Sequence, residues 1–151
     1  MTLYRLEALS RSKSSQAFSG EGGLHYAGRW NSLGTRVVYT SSSVALACLE
    51  TLAHMRAPRR LMERWLFTVE IPDGLVEEIR TLPRSWDSEP AGPASRAAGE
   101  QWIAEQRSVV LLVPSVVIPV ERNALINPRH HRFRLDWVKA PTRFRYDPRL
   151  Q

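Results

Sequence analysis

Arg29 is the first residue whose surroundings in the sequence indicate chemistry. It lies in the segment HYAGRWNSLGTRVVYTS, residues 25–41, between Gly28 and Gly34. Glycine lets a backbone approach a ligand closely, and a guanidinium can form two parallel hydrogen bonds with a pyrophosphate. The segment therefore predicts an anion site at Arg29. An ordinary arginine in a tight turn stays open as the alternative.

Glu50 is the second candidate, because it is a carboxylate within the strongly apolar segment ALACLETLA. In a helix it shares a face with the residues three and four positions away, which are Leu46, Ala47, Ala53 and His54. A partly buried carboxylate is costly unless it is paired. Glu50 could stabilise a positive charge that develops during a reaction. It could equally form an exposed stripe or a structural ion pair.

Two other polar side chains lie in or beside apolar runs. Tyr39 lies in the apolar segment RVVYTS and could offer an aromatic face to a ligand or simply belong to the core. Ser115 follows the apolar run 109–113 and could be a turn hydroxyl that satisfies the backbone. Each of these residues alone is a weak signal.

The common phosphate and metal motifs are absent from the sequence. It contains neither GxxxxGK[ST] nor GxGxxG, and its four histidines do not form HExxH. A single cysteine, Cys48, argues against a thiolate zinc site and is expected to be a small core residue. The pair His130-His131 is expected to be a solvated turn. The sequence predicts no metal site.

Charge and composition restrict the class of protein. The chain of 151 residues has a formal net charge of +6, and its 21 basic residues are all arginine except Lys13 and Lys139. Nucleic acid, a phosphorylated small molecule and an acidic protein all fit this charge, but the absence of a basic block weakens the nucleic-acid interpretation. Because no signal peptide or membrane span is evident and no intrachain disulfide is possible, we expect a cytoplasmic protein.

Strand and helix patterns alternate without regular βαβ repetition, which favours an α+β fold. We expect helices from a cap at Ser41, Ser42 or Ser43 through about Met55, ended with the help of Pro58, and from a cap at Ser95 through Gln106. Loops are expected at residues 10–23 and 83–95, with a loop or turn beginning the segment 123–131. The expected strands are residues 2–8, 37–41, 65–71, 109–113 and 144–146.

Taken together, these segments resemble the RES-domain toxins of bacterial RES–Xre toxin–antitoxin pairs. The matching pieces are LYRL, FSGEGGLHYAGRWNSLGTRVVYTS, ALACLETLAH, GEQWI, LLVPSVVIPVERNALINPRH and FRYDPRL, which cover nearly the whole chain. The resemblance implies one compact domain over residues 1–151 with a fold related to ADP-ribosyltransferases, in which helices flank mixed or antiparallel sheets. It also implies a partner, a helix-turn-helix antitoxin of the Xre type that covers the active-site cleft and alone contacts DNA.

The resemblance further implies that NAD+ is the substrate and that no cofactor is needed. The three residues that give the family its name fall on Arg29, Glu50 and Ser115, with Ala27 as a small departure from the usual GGRWN. Arg29 would hold the pyrophosphate, Tyr39 the nicotinamide, and Glu50 would stabilise the ribosyl cation. Arg5, Asn31 and Ser115 would assist in binding.

Three functions stay open from the sequence. The first is a toxin that depletes NAD+ by hydrolysis or phosphorolysis, and the second is a protein mono-ADP-ribosyltransferase with the same site. The third is a non-catalytic basic binding module, suggested by the net charge of +6 alone. The sequence does not distinguish water, phosphate and a protein side chain as the acceptor.

Overall fold

A seven-stranded sheet runs through the protein, as seen in a computed structural model that describes residues 1–55 and 63–150. The strands follow the spatial order β4-β5-β6-β2-β1-β3-β7, and neighbours are antiparallel except for the parallel pair β4–β5. The predicted α+β class with a mixed sheet is confirmed. The strands are β1 Thr2–Ala8, β2 Val38–Ser41, β3 Arg64–Glu70, β4 Val76–Glu78, β5 Val110–Pro114, β6 Arg122–Ile126 and β7 Thr142–Phe144.

Two short and two longer α-helices accompany the sheet, namely α1 Ser14–Ala17, α2 Gly22–His25, α3 Val44–His54 and α4 Pro93–Glu105. Helix α3 begins where the serine cluster predicted, because the Ser43 side chain accepts a hydrogen bond from the Leu46 amide at 3.0 Å. It ends before Met55, while Pro58, expected to help end it, lies outside the described residues. Single-turn 3-10 helices occur at Asp73–Leu75, Leu135–Trp137 and Pro148–Leu150.

Apolar side chains cover both faces of the sheet, because successive residues of a strand point to opposite faces. Leu3 of β1 belongs to one cluster with Phe67 and Val69 of β3. Leu6 belongs to another cluster, with Ala47 of α3. A third cluster joins α4 to the sheet and contains Trp30, Trp102 and Leu125. Burial of these clusters fixes α3 and α4 against the strands that carry the candidate residues.

Two predictions about these elements are wrong. Residues 122–126, where a loop or turn was expected to begin at 123, form β6, because pairing with β2 and β5 on both sides accommodates its polar start. Helix α4 begins at Pro93 after Gly92, not at a Ser95 cap, since proline is well suited to a first helical position. Ser95 lies buried inside the helix.

Smaller differences concern element ends. The expected loop at residues 10–23 contains α1 and the start of α2, and the last strand ends at Phe144 rather than Tyr146. Tyr146 is instead buried in the cluster beneath α3. The single domain over residues 1–151 and the likeness to ADP-ribosyltransferase folds stay predictions.

The sheet is weakly joined at one place. β1 and β3 share seven register pairs, whereas the fully described strands β1 and β2 share one, Tyr4 with Ser41. Arg5 bridges the gap, because its Nη1 donates to the Tyr39 carbonyl at 2.7 Å. Its Nη2 donates to the Glu7 carboxylate at 3.0 Å. The Arg5 side chain thus donates to a carbonyl of β2 that a backbone amide of β1 would bind if the two strands continued to pair.

Candidate active site

A cleft of about 670 Å³ borders this junction, and residues of β1, β2 and α3 line it. The volume lies within the range of small-molecule sites, ~300–1,000 Å³. Four arginines line the cleft, namely Arg5, Arg11, Arg29 and Arg64, together with three carboxylates, Glu21, Glu50 and Glu89. A concave surface lined with cations attracts anionic ligands.

The Glu50 carboxylate is held from one side. Its Oε1 accepts hydrogen bonds from Ser115 Oγ, at 2.7 Å, and from Asn123 Nδ2. Its Oε2 has no hydrogen bond to a described residue, and the His54 ring nitrogen Nδ1 lies 4.0 Å away. The side chain is 19% exposed, so the carboxylate is mostly buried yet lines the cleft. Such a group can present negative charge to a bound ligand.

Ser115 lies next to the cleft, but its hydroxyl is already in use. The residue is fully buried, and its Oγ accepts a hydrogen bond from the Ile118 amide at 2.9 Å while donating to Glu50. The hydroxyl therefore satisfies a turn, as the sequence suggested, and also holds the Glu50 carboxylate. A direct contact between Ser115 and a substrate stays a prediction.

Asn123 was not among the residues predicted to form the site. It lies on β6 directly opposite Ser41 of β2, and Ser41 Oγ donates to Asn123 Oδ1 at 2.8 Å. Asn123 was missed in the sequence because a loop was predicted at this position. The pairing of β6 with β2 places the residue beside Glu50. The motif VERNALINPRH was the available signal.

Arg29 contacts a loop of its own chain. Nη1 donates to the carbonyls of Trp86 and Ser88 at 2.9 and 2.7 Å, and Nη2 donates to the Glu89 carboxylate at 3.0 Å. The loop is also held by stacking of Trp86 on Trp30, with ring centroids 6.2 Å apart. Because Glu89 is 81% exposed, a ligand anion can compete with it for the guanidinium.

Tyr39 and Asn31 hold the turn that carries Arg29. The Tyr39 hydroxyl donates to Asn31 Oδ1 at 2.8 Å and accepts from the Trp30 amide at 3.1 Å. Burial raises the pKa of Tyr39 to about 12, so the phenol stays neutral and keeps donating. Gly28 has no room for a side chain, since a Cβ there would lie 2.4 Å from the Tyr39 hydroxyl.

Asn31 and Arg5, which were predicted to contact the substrate, already use most of their hydrogen-bonding groups within the protein. Asn31 is buried, its Oδ1 accepts from Tyr39 and the Gly28 amide, and its Nδ2 donates to two carbonyls. Arg5 lines the cleft with both terminal nitrogens engaged, while its buried Nε has no partner among the described residues. The contacts of both residues with substrate stay predictions.

Side chains of helix α4 hydrogen-bond to the turn that carries Arg29. Arg96 Nε donates to the Gly28 carbonyl at 3.0 Å, and Glu100 Oε1 accepts from the Ser32 amide at 3.0 Å. Hydrogen bonds from Ser32 and Thr35 lower the pKa of Glu100 against the opposing effect of burial, which is its largest single influence. Gly99 lies between these two side chains, and a Cβ there would lie 2.0 Å from the Trp30 carbonyl oxygen.

The structure thus places Arg29, Tyr39, Glu50 and Arg5 around one cleft, with Ser115 behind Glu50. Within residues 1–55 and 63–150, no group of three or more His, Cys, Asp or Glu side chains is arranged to hold a metal ion. None of the helices in these ranges is long and apolar enough to cross a membrane.

Known proteins resemble the chain over nearly its full length. The sequence model of the RES domain matches residues 2–147. A protein of Sphingobium sp. (strain YBL2) named Prs ADP-ribosylating toxin is 40% identical over 154 residues, covering 99% of this chain and 96% of that protein. A Yersinia enterocolitica protein named Toxin Res is 39% identical over 155 residues, covering 100% of each.

A solved structure has the same fold. It is the M. tuberculosis MbcT–MbcA toxin–antitoxin complex, which contains a chain that superimposes with a TM-score of 0.73. The match covers 99% of the present chain and 85% of that chain, at 21% sequence identity. At this identity the likeness concerns the fold alone.

Proposed function

We propose, because this chain belongs to the RES-domain family, that it is the toxin of a toxin–antitoxin pair and cleaves the nicotinamide–ribose bond of NAD+ in the cytoplasm. The family predicted from the sequence motifs is thereby confirmed. The observation that carries the proposal is the Glu50 carboxylate, which lines a cleft with four arginines and has one oxygen free of hydrogen bonds to described residues.

The chemistry fits one carboxylate. When the C1′–N bond breaks, its electron pair stays on nicotinamide, which leaves as a neutral base, so no general acid is required. The ribose becomes oxocarbenium-like, and a fixed negative charge close to it lowers the barrier. Glu50 would supply that charge, whereas glycosidases that expel an alcohol use two carboxylates.

The remaining groups would bind the two ends of the substrate. NAD+ carries a pyrophosphate, which the cleft arginines suit, and Arg29 is proposed to exchange Glu89 for a phosphate oxygen. Tyr39 would pack its ring on nicotinamide while its hydroxyl stays bound to the turn. In this role Tyr39 both positions the turn and borders the substrate.

A second candidate function is protein ADP-ribosylation. It is favoured by the relative of 40% identity whose name describes an ADP-ribosylating toxin. The same Glu50 chemistry serves both functions, because they differ only in the nucleophile that reaches C1′. The third interpretation, a basic binding module without catalysis, rests on net charge alone and explains none of the contacts of Glu50.

The partner is proposed to be an Xre-type helix-turn-helix antitoxin that covers the cleft and alone contacts DNA. The structural neighbour, a toxin–antitoxin complex, supports an antitoxin as protein partner. The net charge of +6 favours an antitoxin surface with acidic groups, which would speed association.

The proposed function is tested by incubating the purified chain with NAD+, with and without inorganic phosphate, and identifying the products. Release of nicotinamide with free ADP-ribose would indicate hydrolysis, and ADP-ribose 1″-phosphate would indicate phosphorolysis. Labelling of an added cell extract by radioactive NAD+ would indicate protein transfer. The same assay on the chain purified with its neighbouring gene product is expected to show no cleavage. An intact NAD+ pool in every condition would contradict the proposal.

Removing the Glu89 charge is expected to tighten NAD+ binding. Glu89→Gln weakens the competitor of the pyrophosphate at Arg29. An exposed ion pair contributes ~0.4–1 kcal/mol, so the Kd for NAD+ should fall by roughly two- to five-fold. Calorimetry on a Glu50→Gln background, which prevents turnover, measures the effect.

The matched control for this change is Glu78→Gln. Glu78 lies on β4, and its exposed carboxylate pairs with Arg122 of β6 at 2.6 Å. The Kd of this variant should not change. Weaker binding of NAD+ by Glu89→Gln would show instead that Glu89 helps to hold Arg29 in its active position.

A further inference from the structure

We propose that Asn123, held in place by Ser41, is a positioning residue: together with Ser115 it hydrogen-bonds Oε1 of Glu50 and leaves Oε2 to face the substrate. The inference rests on the proposed function, because it assigns Asn123 to the cleavage of NAD+ through Glu50. Sequence motifs named Glu50 and Ser115 for this chemistry, whereas the roles of Asn123 and Ser41 follow from their contacts in the structure.

Both donors to Glu50 act on the same oxygen. Ser115 Oγ and Asn123 Nδ2 converge on Oε1 from β5's end and from β6, while Oε2 accepts from neither. Two donors on one oxygen fix the rotation of the carboxylate about its last bond. Oε2 is thereby held at a constant position in the cleft.

The choice of neutral donors preserves the charge of the carboxylate. An arginine or lysine at position 123 would also pair with Glu50, but its positive charge would oppose the attraction between Glu50 and a ribosyl cation. A hydroxyl and an amide offset part of the cost of burial without neutralising the group. The pair Ser115 and Asn123 therefore positions a carboxylate that remains available for electrostatic stabilisation.

The Glu50 carboxylate can only accept, so the Nδ2 end of the Asn123 amide must face it, and Ser41 holds the other end of that amide. The Ser41 hydroxyl donates to Oδ1 at 2.8 Å while the Nδ2 end donates to Glu50. A flipped amide would place two acceptors against each other at Glu50. Since Ser41 and Asn123 are direct cross-strand partners in the interior of the sheet, their backbones are fixed by the ladder.

The test is Asn123→Asp, which keeps the shape of the side chain and replaces its donor by a carboxylate oxygen. At pH 8 we expect kcat for NAD+ cleavage to fall by roughly 10²-fold, the scale of one lost electrostatic contact, with KM changed less than about threefold because the Asn123 amide is engaged by Glu50 and Ser41. As the pH falls, the two carboxylates come to share a proton that restores a donor. The ratio of variant to wild-type kcat should therefore rise.

The other titratable and charged groups near this pair are His54 on α3, with Nδ1 4.0 Å from Glu50 Oε2, and Glu121 and Arg122 at the start of β6. All three are present in wild type and variant. The ratio of variant to wild-type kcat therefore reports the exchange at position 123.

The matched control is Asn127→Asp, the same exchange one residue beyond the other end of β6. Asn127 Oδ1 accepts from the Arg129 amide at 3.0 Å, and its Nδ2 has no partner among the described residues, so the exchange removes no hydrogen bond. Because Asn127 is buried, the added charge should lower the Tm, whereas kcat of the folded variant should match wild type. Ser41→Ala, which releases the amide without adding charge, should lose kcat by roughly 10-fold.

A stability readout separates this inference from the proposed function. Asn123→Asp should lower the Tm at pH 8 through repulsion with Glu50, and a second change, Glu50→Gln, should recover most of that loss. Unchanged kcat in Asn123→Asp, beside a Glu50→Gln variant that is inactive, would overturn the inference and leave the proposed function in place. A wild-type chain that cleaves no NAD+ would overturn the function, while recovery of Tm would still support the positioning contact.

Discussion

Replacing Glu50 by glutamine is expected to lower the rate of nicotinamide release by at least ~10²-fold while the protein remains folded. Glutamine has the shape of glutamate, and its carbonyl oxygen can accept the hydrogen bonds from Ser115 and Asn123 that Oε1 accepts now. The variant therefore removes the negative charge without removing the contacts. Single-turnover release of nicotinamide, followed by chromatography, measures the chemical step directly.

Binding and stability serve as the controls for this change. The Kd of NAD+ for Glu50→Gln should change little, because the charge acts on the cation that forms during cleavage. The Tm should stay close to that of wild type. Near-normal turnover in a folded variant would assign Glu50 a structural role and would remove the observation on which the proposed function rests.

A single methyl group at position 99 is expected to damage both stability and activity. Alanine usually stabilises a helix relative to glycine, by ~0.5–1 kcal/mol. At Gly99 the added Cβ would lie 2.0 Å from the Trp30 carbonyl oxygen, so the helix or the turn must move. Overpacking of this kind costs ~1–3 kcal/mol, which reverses the sign of the usual effect.

Activity should fall as well, because Arg29 precedes Trp30 in the same turn. A shift of the turn moves Arg29 relative to Glu50, and a displacement of about 1 Å can cost up to ~10²-fold in rate. We expect kcat/KM of Gly99→Ala to fall at least ~10-fold, in a range set by how far the turn moves. Thermal unfolding and NAD+ kinetics on the same preparation measure both effects.

Gly74→Ala is the matched control, because a Cβ at Gly74 meets nothing within 4 Å. It should leave kcat/KM unchanged. A Gly99→Ala protein that is more stable than wild type and fully active would show that α4 and the turn can separate without cost, which would contradict the packing described here.

Local patterns predicted the elements whose residues carry their own signals. β1 has the predicted bounds, residues 2–8. α3 begins at a serine cap followed by helix-forming apolar residues, and it was predicted within one or two residues. β6 carries no such signal, since its segment RNALI begins with two polar residues. Its strand state depends on being paired on both sides, which is a property of the whole sheet.

The residues of the candidate site divide in the same way, into those with a local sequence signal and those that only the whole fold brings together. Arg29, Glu50 and Ser115 were found because their motifs match a family, and the structure brings Glu50 and Ser115 into contact. The contacts of Arg29 with residues 86–89 were not predictable, because 57 to 60 residues separate the partners. The role of Asn123 was missed because a loop was expected at this position, whereas the pairing of β6 with β2 places the residue beside Glu50.

The hydrogen bonds that Ser115 and Asn123 donate to Glu50 also have a consequence during synthesis of the chain. Glu50 is translated 65 residues before Ser115 and 73 residues before Asn123. At ~5–20 residues per second, the ribosome needs roughly 4–15 s to add that interval. A nascent chain that already carries Arg29, Tyr39 and Glu50 therefore lacks the donors that orient its carboxylate. Under the proposed function, the growing polypeptide would be harmless to the cell that synthesises it until β6 has emerged and joined β2.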